Sequence, residues 1–320
     1  MRAIVVEKAG GPEELTLQEI PTPDPGPGQV LVRTHAAGVN FMDIYQRSGH
    51  YKVDHPFTPG GEASGVIEAL GEGVTELAVG DQVTTAQAKK AYAELFVADA
   101  DRVIPVPDGI DLDLAAAFPL QGLTAHYLAR SSANPEPGET VIVHAGAGGV
   151  GLLLTQLLAA RGVRVLTTVS TPEKAELSRE AGAADVFGYD DFRERAKEVT
   201  GGEGVAVVYD GVGMSTFDDS LASLRVRGEM VLFGAASGPV PPFELQRLAS
   251  GGSLSVTRPT MHHFMQTPEE RAWRYRELFD ALTAGTLSVR IDRRFPLEDA
   301  REAHAALASR STTGKLLLIA

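Results

Sequence analysis

One turn constrains this chain more than any other feature. The run Val141-Ile142-Val143-His144-Ala145-Gly146-Ala147-Gly148-Gly149-Val150-Gly151 joins an apolar strand to an apolar helix. Gly146, Gly148 and Gly151 fit the pattern G-x-G-x-x-G, and a strand before with a helix after is the context in which that pattern binds a dinucleotide. Gly146 is expected to permit the tight turn, Gly148 to let the backbone approach a pyrophosphate, and Gly151 to let the helix pack close to the sheet. Ala147, Gly149 and Val150 complete the loop, whose backbone N–H groups and helix dipole favour negative charge. The competing reading is a glycine-rich strand–helix turn that binds nothing.

The rest of the chain weighs against that reading. Candidate strands at residues 140–144, 163–169, 184–188, 205–210, 229–234 and 253–258 alternate with candidate helices at 150–160, 172–181, 192–200 and 216–224. Such alternation predicts a doubly wound parallel sheet of six strands, the size of a full dinucleotide-binding domain. Upstream the character is different. Residues 1–6, 29–36, 63–70, 79–85 and 91–98 are short β-rich runs bounded by Gly and Pro. Pro21, Pro23, Pro25 and Pro27 form an extended connector between strands. Residues 112–117 and 123–130 read as helices, and Pro135, Pro137 and Gly138 as a turn. The tail, with helices at 268–284 and 297–309 and a last strand at 315–319, does not continue the alternation. It is expected to return to the first segment. The resulting expectation is a discontinuous domain of residues 1–124 and 260–320, with a dinucleotide-binding domain of residues 125–259 inserted into it. A chain of 320 residues is of natural length for two domains.

The strand end after the glycines discriminates between cofactors. NAD-type folds place Asp or Glu about 20 residues on, where it accepts from the ribose 2′-OH. Here that window reads Thr168-Val169-Ser170-Thr171-Pro172-Glu173-Lys174. Ser170 and Thr171 can donate to a 2′-phosphate and Lys174 can neutralise it, so NADPH is the expected cofactor. The plainer alternatives are that Thr171 and Pro172 are an N-cap and N1 pair and that Lys174 is an exposed lysine. Further along, Tyr189 follows the third strand and either borders the adenosine or covers the sheet rim. Phe233 and Gly234 end the fifth, where Gly234 gives the nicotinamide half room.

Composition removes several function classes. The formal net charge of −13 opposes binding to nucleic acid or to anionic membrane surfaces. With no cysteine, disulfides, thiolate catalysis and cysteine-ligated zinc are all excluded. Residues 1–11 lack an apolar core long enough for a signal peptide, and the longest apolar stretch, residues 148–160, is too short to span a bilayer. The expectation is a soluble, cytoplasmic protein.

Ordered blocks along nearly the whole chain carry a family resemblance. They are Gly10-Gly11-Pro12-Glu13, Gly38-Val39-Asn40-Phe41-Met42-Asp43 with Tyr45, Arg47-Ser48-Gly49, Pro59-Gly60-Gly61-Glu62-Ala63-Ser64-Gly65-Val66, Gly80-Asp81-Gln82-Val83, the 144–151 turn, Thr257-Arg258-Pro259 and Gly314-Lys315-Leu316. In these the chain resembles the quinone oxidoreductase (zeta-crystallin-like) branch of the medium-chain dehydrogenase/reductase superfamily. The resemblance implies a GroES-like β-barrel domain with an inserted Rossmann domain, assembled as a homodimer. Zinc-dependent relatives carry a cysteine ligand where this chain has Asn40, and Gly-His-Glu where it has Gly60-Gly61-Glu62. A catalytic zinc needs three protein ligands. The adjacent His262 and His263, on opposite faces if the segment is extended, make a poor chelate, so no metal is expected.

The function this resemblance implies is NADPH-dependent reduction of quinones or conjugated carbonyl compounds without a metal. Such acceptors are already electrophilic, so orientation of the reactants can do most of the work. By resemblance, Asn40 and Tyr45 lie in an interdomain cleft near the nicotinamide. Asn40 would bond the cofactor ribose or a substrate oxygen, and Tyr45 would donate to the developing oxyanion. Gln121 and Thr124 would touch the nicotinamide end, and Arg310 would reach a cofactor phosphate. Each has a structural alternative: Asn40 caps a turn, Tyr45 packs, and Thr124 is an ordinary helix residue. Tyr92 and the segment from Met261 to Met265 are candidates for the substrate pocket wall. The alternative functions are a 2-alkenal or enone reductase, a non-catalytic NADPH-binding protein, and a zinc alcohol dehydrogenase. One-electron and two-electron transfer both stay open.

Overall fold

The structure, a computed structural model, describes residues 1–309 and 311–320. Its contacts divide the chain into one unit of residues 1–120 and 289–320 and a second of residues 121–288. In chain order the first stretch holds β1 (Arg2–Val6), β2 (Leu15–Glu19), β3 (Gln29–Val39), α1 (Phe41–Arg47), β4 (Ala63–Leu70), β5 (Gln82–Thr85), β6 (Leu95–Asp99), β7 (Ile104–Pro105) and α2 (Leu112–Ala117). Then follow α3 (Pro119–Tyr127), β8 (Thr140–Val143), α4 (Gly149–Ala159), β9 (Arg164–Thr168), α5 (Pro172–Glu180), β10 (Asp185–Phe187), α6 (Phe192–Val199), β11 (Val205–Asp210), α7 (Phe217–Ser223), β12 (Leu224–Leu232), α8 (Gln246–Ser250), β13 (Ser255–Thr257) and α9 (Pro268–Thr283). The chain closes with β14 (Ile291–Pro296), α10 (Ala300–Ala308) and β15 (Lys315–Ile319).

In the second unit the sheet order is β10-β9-β8-β11-β12-β13, and every pairing is parallel. β8 and β11 are the central pair, and all six residues of β11 are buried. A strand covered on both faces must be apolar throughout, which Val205-Ala206-Val207-Val208-Tyr209 satisfies. Ile142, Leu166, Val208 and Met230 from the strands pack with Phe192, Phe217 and Leu221 from α6 and α7. Each large apolar side chain so buried contributes roughly 1.5–3 kcal/mol.

The first unit is antiparallel apart from its last pair. Its sheet runs β14-β15-β3-β4-β5-β7, with β6 also on β3, and β1 pairs with β2 separately. β15 shows how one strand serves two layers, because successive side chains point to opposite faces. Leu316 and Leu318 join the core of Ile4, Val30, Val32, Ile67 and Phe96. Leu317 joins Ala36 with Ala116 and Ala117 of α2.

The tail departs from the sequence expectation in one respect. β14, α10 and β15 do return to the first unit, but α9 and the segment before it stay with the second. Side chains within α3 and α9 explain this. Arg274 of α9 donates to Nδ1 of His126 in α3 at 3.0 Å, and Nε2 of His126 lies 3.0 Å from Glu277. The later boundary is therefore near residue 288 and not 260. β12 also begins earlier than expected. Its first residues, Leu224-Arg225-Val226-Arg227-Gly228, carry two arginines, with Arg227 in the left-handed region at φ 61°. That is no ordinary strand pattern.

Candidate functional site

The turn at the head of α4 is built on close backbone packing. Ala145, not Gly146, takes the left-handed conformation, with φ 53°. Gly146 meets a different demand. A Cβ there would lie 2.5 Å from Cβ of Thr167 and 2.6 Å from Oγ of Ser178. Gly151 fits as expected, since a Cβ would run into the Ala145 carbonyl. Gly148 caps α4 in an extended conformation, and the nearest atom to its absent Cβ is the Ala145 oxygen at 3.1 Å. The N–H of Gly146 is held by Thr168 O and that of Gly148 by Ala145 O. Those of Gly149, Val150 and Gly151 head the helix, where no earlier helical carbonyl can take them. Ala147 is buried and Val150 half-buried beside them.

Gln121 packs on this turn. A Cβ on Gly149 would fall on the Gln121 carboxamide, so glycine at 149 is what seats Gln121 there. Thr124, one turn further along α3, is half-buried. From the end of β10, Tyr189 reaches the same loop. Its hydroxyl accepts from Ala145 N at 3.2 Å, and its ring stacks at 24° on His144. At the end of β9, Ser170 and Thr171 are exposed and Lys174 is half-buried. Thr171 is the N-cap of α5, its Oγ1 accepting from Lys174 N at 3.3 Å, with Pro172 at N1. Phe233 and Gly234 follow β12 and are half-buried. A Cβ on Gly234 would run into Gly211, so this glycine also serves the approach of two loops. The 145–151 turn, Ser170 and Thr171, Tyr189, and Phe233 and Gly234 follow the carboxyl ends of β8, β9, β10 and β12, the edge where open α/β folds bind ligands.

A polar network beneath the turn was not legible in the sequence. Oδ1 of Asp210 accepts from the N–H groups of Val212 and Gly213 at 2.7 and 2.9 Å. Its Oδ2 accepts from Thr216 at 2.7 Å and Ser220 at 3.1 Å. With its proton given to Asp210, Ser220 accepts from Nε2 of His144 at 2.8 Å. Nδ1 of His144 then accepts from Thr168 at 2.8 Å. The ring is thus the neutral Nε2–H tautomer, and burial pushes its pKa down. Thr168, Ser220, Asp210 and Thr216, all wholly or nearly wholly buried, so fix His144, the residue next to Ala145. A polar residue closing an apolar strand, Asp210, was the one available sign.

In the first unit, Asn40 is the N-cap of α1 and is 7% exposed. Both hydrogens of its amide are used: Nδ2 donates to Glu62 at 2.8 Å and to Gly38 O at 3.2 Å. Its Oδ1 accepts from Lys315 at 2.7 Å. Tyr45, half-buried on α1, lies 5.2 Å from the His50 ring and 5.3 Å from the Tyr51 ring. Tyr92 is wholly buried and donates to Asp43 at 3.0 Å, so it lines the core. Arg310 lies outside the described residues. Among the described residues, no three His, Asp or Glu side chains converge as a metal site would require, and no helix is long and apolar enough to cross a membrane.

The comparisons with known proteins define the class first. Residues 26–108 match the model of an alcohol dehydrogenase GroES-like domain, and residues 149–275 that of a zinc-binding dehydrogenase. A quinone oxidoreductase of Pseudomonas aeruginosa is 43% identical over 97% of each chain. A 2-haloacrylate reductase of a Burkholderia species is 40% identical, covering 99% of this chain and 98% of its own. A mycobacterial protein solved in complex with NADPH is 51% identical over all of both chains, with a TM-score of 0.98. The chain belongs to the zinc-free quinone oxidoreductase family of the medium-chain dehydrogenase/reductase superfamily.

Proposed function

We propose that this protein reduces quinones with NADPH, and that the cofactor lies along the carboxyl-end edge of the parallel sheet. The observation that carries the proposal is the turn at 145–151. Its glycines let the backbone pack closely on neighbouring elements, and the N–H groups of Gly149, Val150 and Gly151, left without helical acceptors at the helix head, suit a pyrophosphate. The strand end at Ser170, Thr171 and Lys174 supplies hydroxyls and an ammonium for a 2′-phosphate, and no carboxylate occupies position 170. Tyr189 would border the adenosine. Gln121, Thr124, Phe233 and Gly234 would serve the nicotinamide half. NADPH bound there supplies a hydride. The protein's own part is to orient the acceptor and, at the Tyr45 hydroxyl, to give a hydrogen bond or proton to the oxygen that gains charge.

A second reading rests on the 40% identity to a 2-haloacrylate reductase. It keeps the cofactor and makes an electron-poor alkene the acceptor. The test is NADPH consumption with benzoquinone, a naphthoquinone, 2-chloroacrylate, a 2-alkenal and an alkyl enone. Quinones are expected to give the highest kcat/KM. Preference for an alkene would transfer the function to alkene reduction. Tight NADPH binding without turnover on any acceptor would favour a non-catalytic binding protein, and equal affinity for NADH would remove the role given to Ser170, Thr171 and Lys174.

We also propose a cytoplasmic homodimer, joined where β13 leaves a sheet edge for a second copy. Light scattering is expected to read twice the 33.9 kDa chain mass. A monomer at working concentrations would end that part of the proposal.

A further inference from the structure

Lys315 and Glu62 form an ion pair in which both side chains are wholly buried. Desolvating such charges costs several kcal/mol per ion, and an apolar pair of similar volume is often as stable. Stability is therefore a weak reason for the pair to be there, and its geometry offers a better one. Lys315 Nζ bonds both Glu62 Oε2 and Asn40 Oδ1, while Asn40 Nδ2 bonds Glu62 Oε2. The other carboxylate oxygen, Oε1, accepts from Leu120 N at 2.7 Å. The Asn40 amide can take only one orientation in this setting. Reversed, its NH2 would face the ammonium and its oxygen the carboxylate. Gly38 makes the space, since a Cβ there would fall on Oε2 of Glu62 and within 2.7 Å of Cε of Lys315.

The locked amide belongs to the cap of α1. That helix has seven residues, too few to persist without tertiary support. The N–H of Asn40 donates to Oδ2 of Asp43 at 2.9 Å, and Tyr92 donates to the same oxygen. Tyr92 lies 3.1 Å from Nε2 of His304, whose Nδ1 lies 3.1 Å from Nη1 of Arg47 in the last turn of α1. The buried side of α1 is thus fastened at cap, first turn and last turn. Phe41 and Tyr45 are half-buried and Met42 is 46% exposed, whereas Asp43, Ile44 and Arg47 of the same helix are buried.

We propose that Lys315 and Glu62 are positioning residues: they lock the Asn40 amide, and through it the start of α1, so that Tyr45 is held in one place for the acceptor. The link to the acceptor rests on the function proposed above.

The test uses the full chain carrying Lys315→Met together with Glu62→Gln. This pair removes both charges at nearly constant volume, so the fold should survive, while Asn40 loses the ammonium and the carboxylate that force one orientation of its amide. A fall in kcat with a quinone of about tenfold or more is expected, because small misplacements near reacting groups are costly. NADPH Kd should stay as in the wild type, and the amides of residues 41–47 should exchange faster. Asn40→Ala keeps the direct ion pair and should reproduce all three results if the double variant folds poorly. Wild-type kcat together with wild-type exchange in α1 would overturn the proposal. So would a loss of NADPH affinity in Asn40→Ala, which would make Asn40 a cofactor ligand. Should the wild type reduce no quinone, or Tyr45→Phe turn over normally, the acceptor reading fails by itself, and the exchange of α1 still decides whether the pair locks the cap.

Discussion

Arg274→Met is expected to lower stability by about 3–5 kcal/mol, the usual range for removing one member of a buried charged network. The Arg274 side chain is 1% exposed. Its Nε donates to Phe264 O at 2.8 Å, its Nη1 to Nδ1 of His126 at 3.0 Å and its Nη2 to Oγ of Ser131 at 3.0 Å. Glu270 takes a further bond, and the guanidinium lies 4.7 Å from the Trp273 ring centroid. Methionine fills much of the volume but leaves the Phe264 carbonyl and the His126 nitrogen without their donor, each at about 1–3 kcal/mol. At roughly 2–4 °C per kcal/mol, the unfolding transition should move down by on the order of 10 °C. Calorimetry of the variant checks this, and a shift of a degree or two would mean that α3 and α9 are held together by something else.

Acidification from pH 6.5 to 5 is expected to cost about 3 kcal/mol, before any surface carboxylate protonates. Burial pushes His126 down to about 4 and His304 down to about 3, from an ordinary 6.5. Between those values and 6.5 the unfolded chain binds protons that the folded chain refuses. Stability therefore falls with pH at about 1.4 kcal/mol per pH unit for each histidine. Asp43 acts the other way. Burial pushes it up to about 6 from 3.8, so below pH 6 the folded state holds the extra proton and gains. Two histidines against one aspartate leave a net loss, and His144, also pushed down, adds to it. The geometry agrees with neutral rings: Nδ1 of His126 faces Arg274, and Nδ1 of His304 faces Arg47, so each must accept. Urea titrations at the two pH values measure the loss. His304→Gln, which can still accept from Arg47 and donate to Tyr92, should flatten the dependence. Equal stability at pH 6.5 and 5 would mean that the rings are protonated in the folded state.

Much of this protein is local and was therefore legible in the sequence. The glycine turn, the β-α alternation and the Thr-Pro starts of α5 and α9 depend on residues close in the chain. Their backbone consequences follow from sterics and capping wherever the segment ends up. The missing acid at Ser170 and the missing cysteines are likewise plain from residue identity alone.

What tertiary structure decided is the environment of polar side chains that meet from distant parts of the chain. Lys315 opens an apolar run, and nothing beside it announces that its ammonium is wholly buried against Glu62 and Asn40, residues far earlier in the sequence. Asn40 is expected either to meet a ligand or to cap a turn; it is the N-cap of α1, with both its amide hydrogens taken up inside the first unit. Gly146 is expected to permit the tight turn, but Ala145 takes the left-handed conformation, and Gly146 instead leaves room for Thr167 and Ser178 of neighbouring elements. The place of α9 was settled by Arg274 and His126, which no periodicity links. Apolar patterning says which face of an element turns inward; it does not say which polar partner waits there, and inside a protein that partner sets both the charge state and the cost of burial.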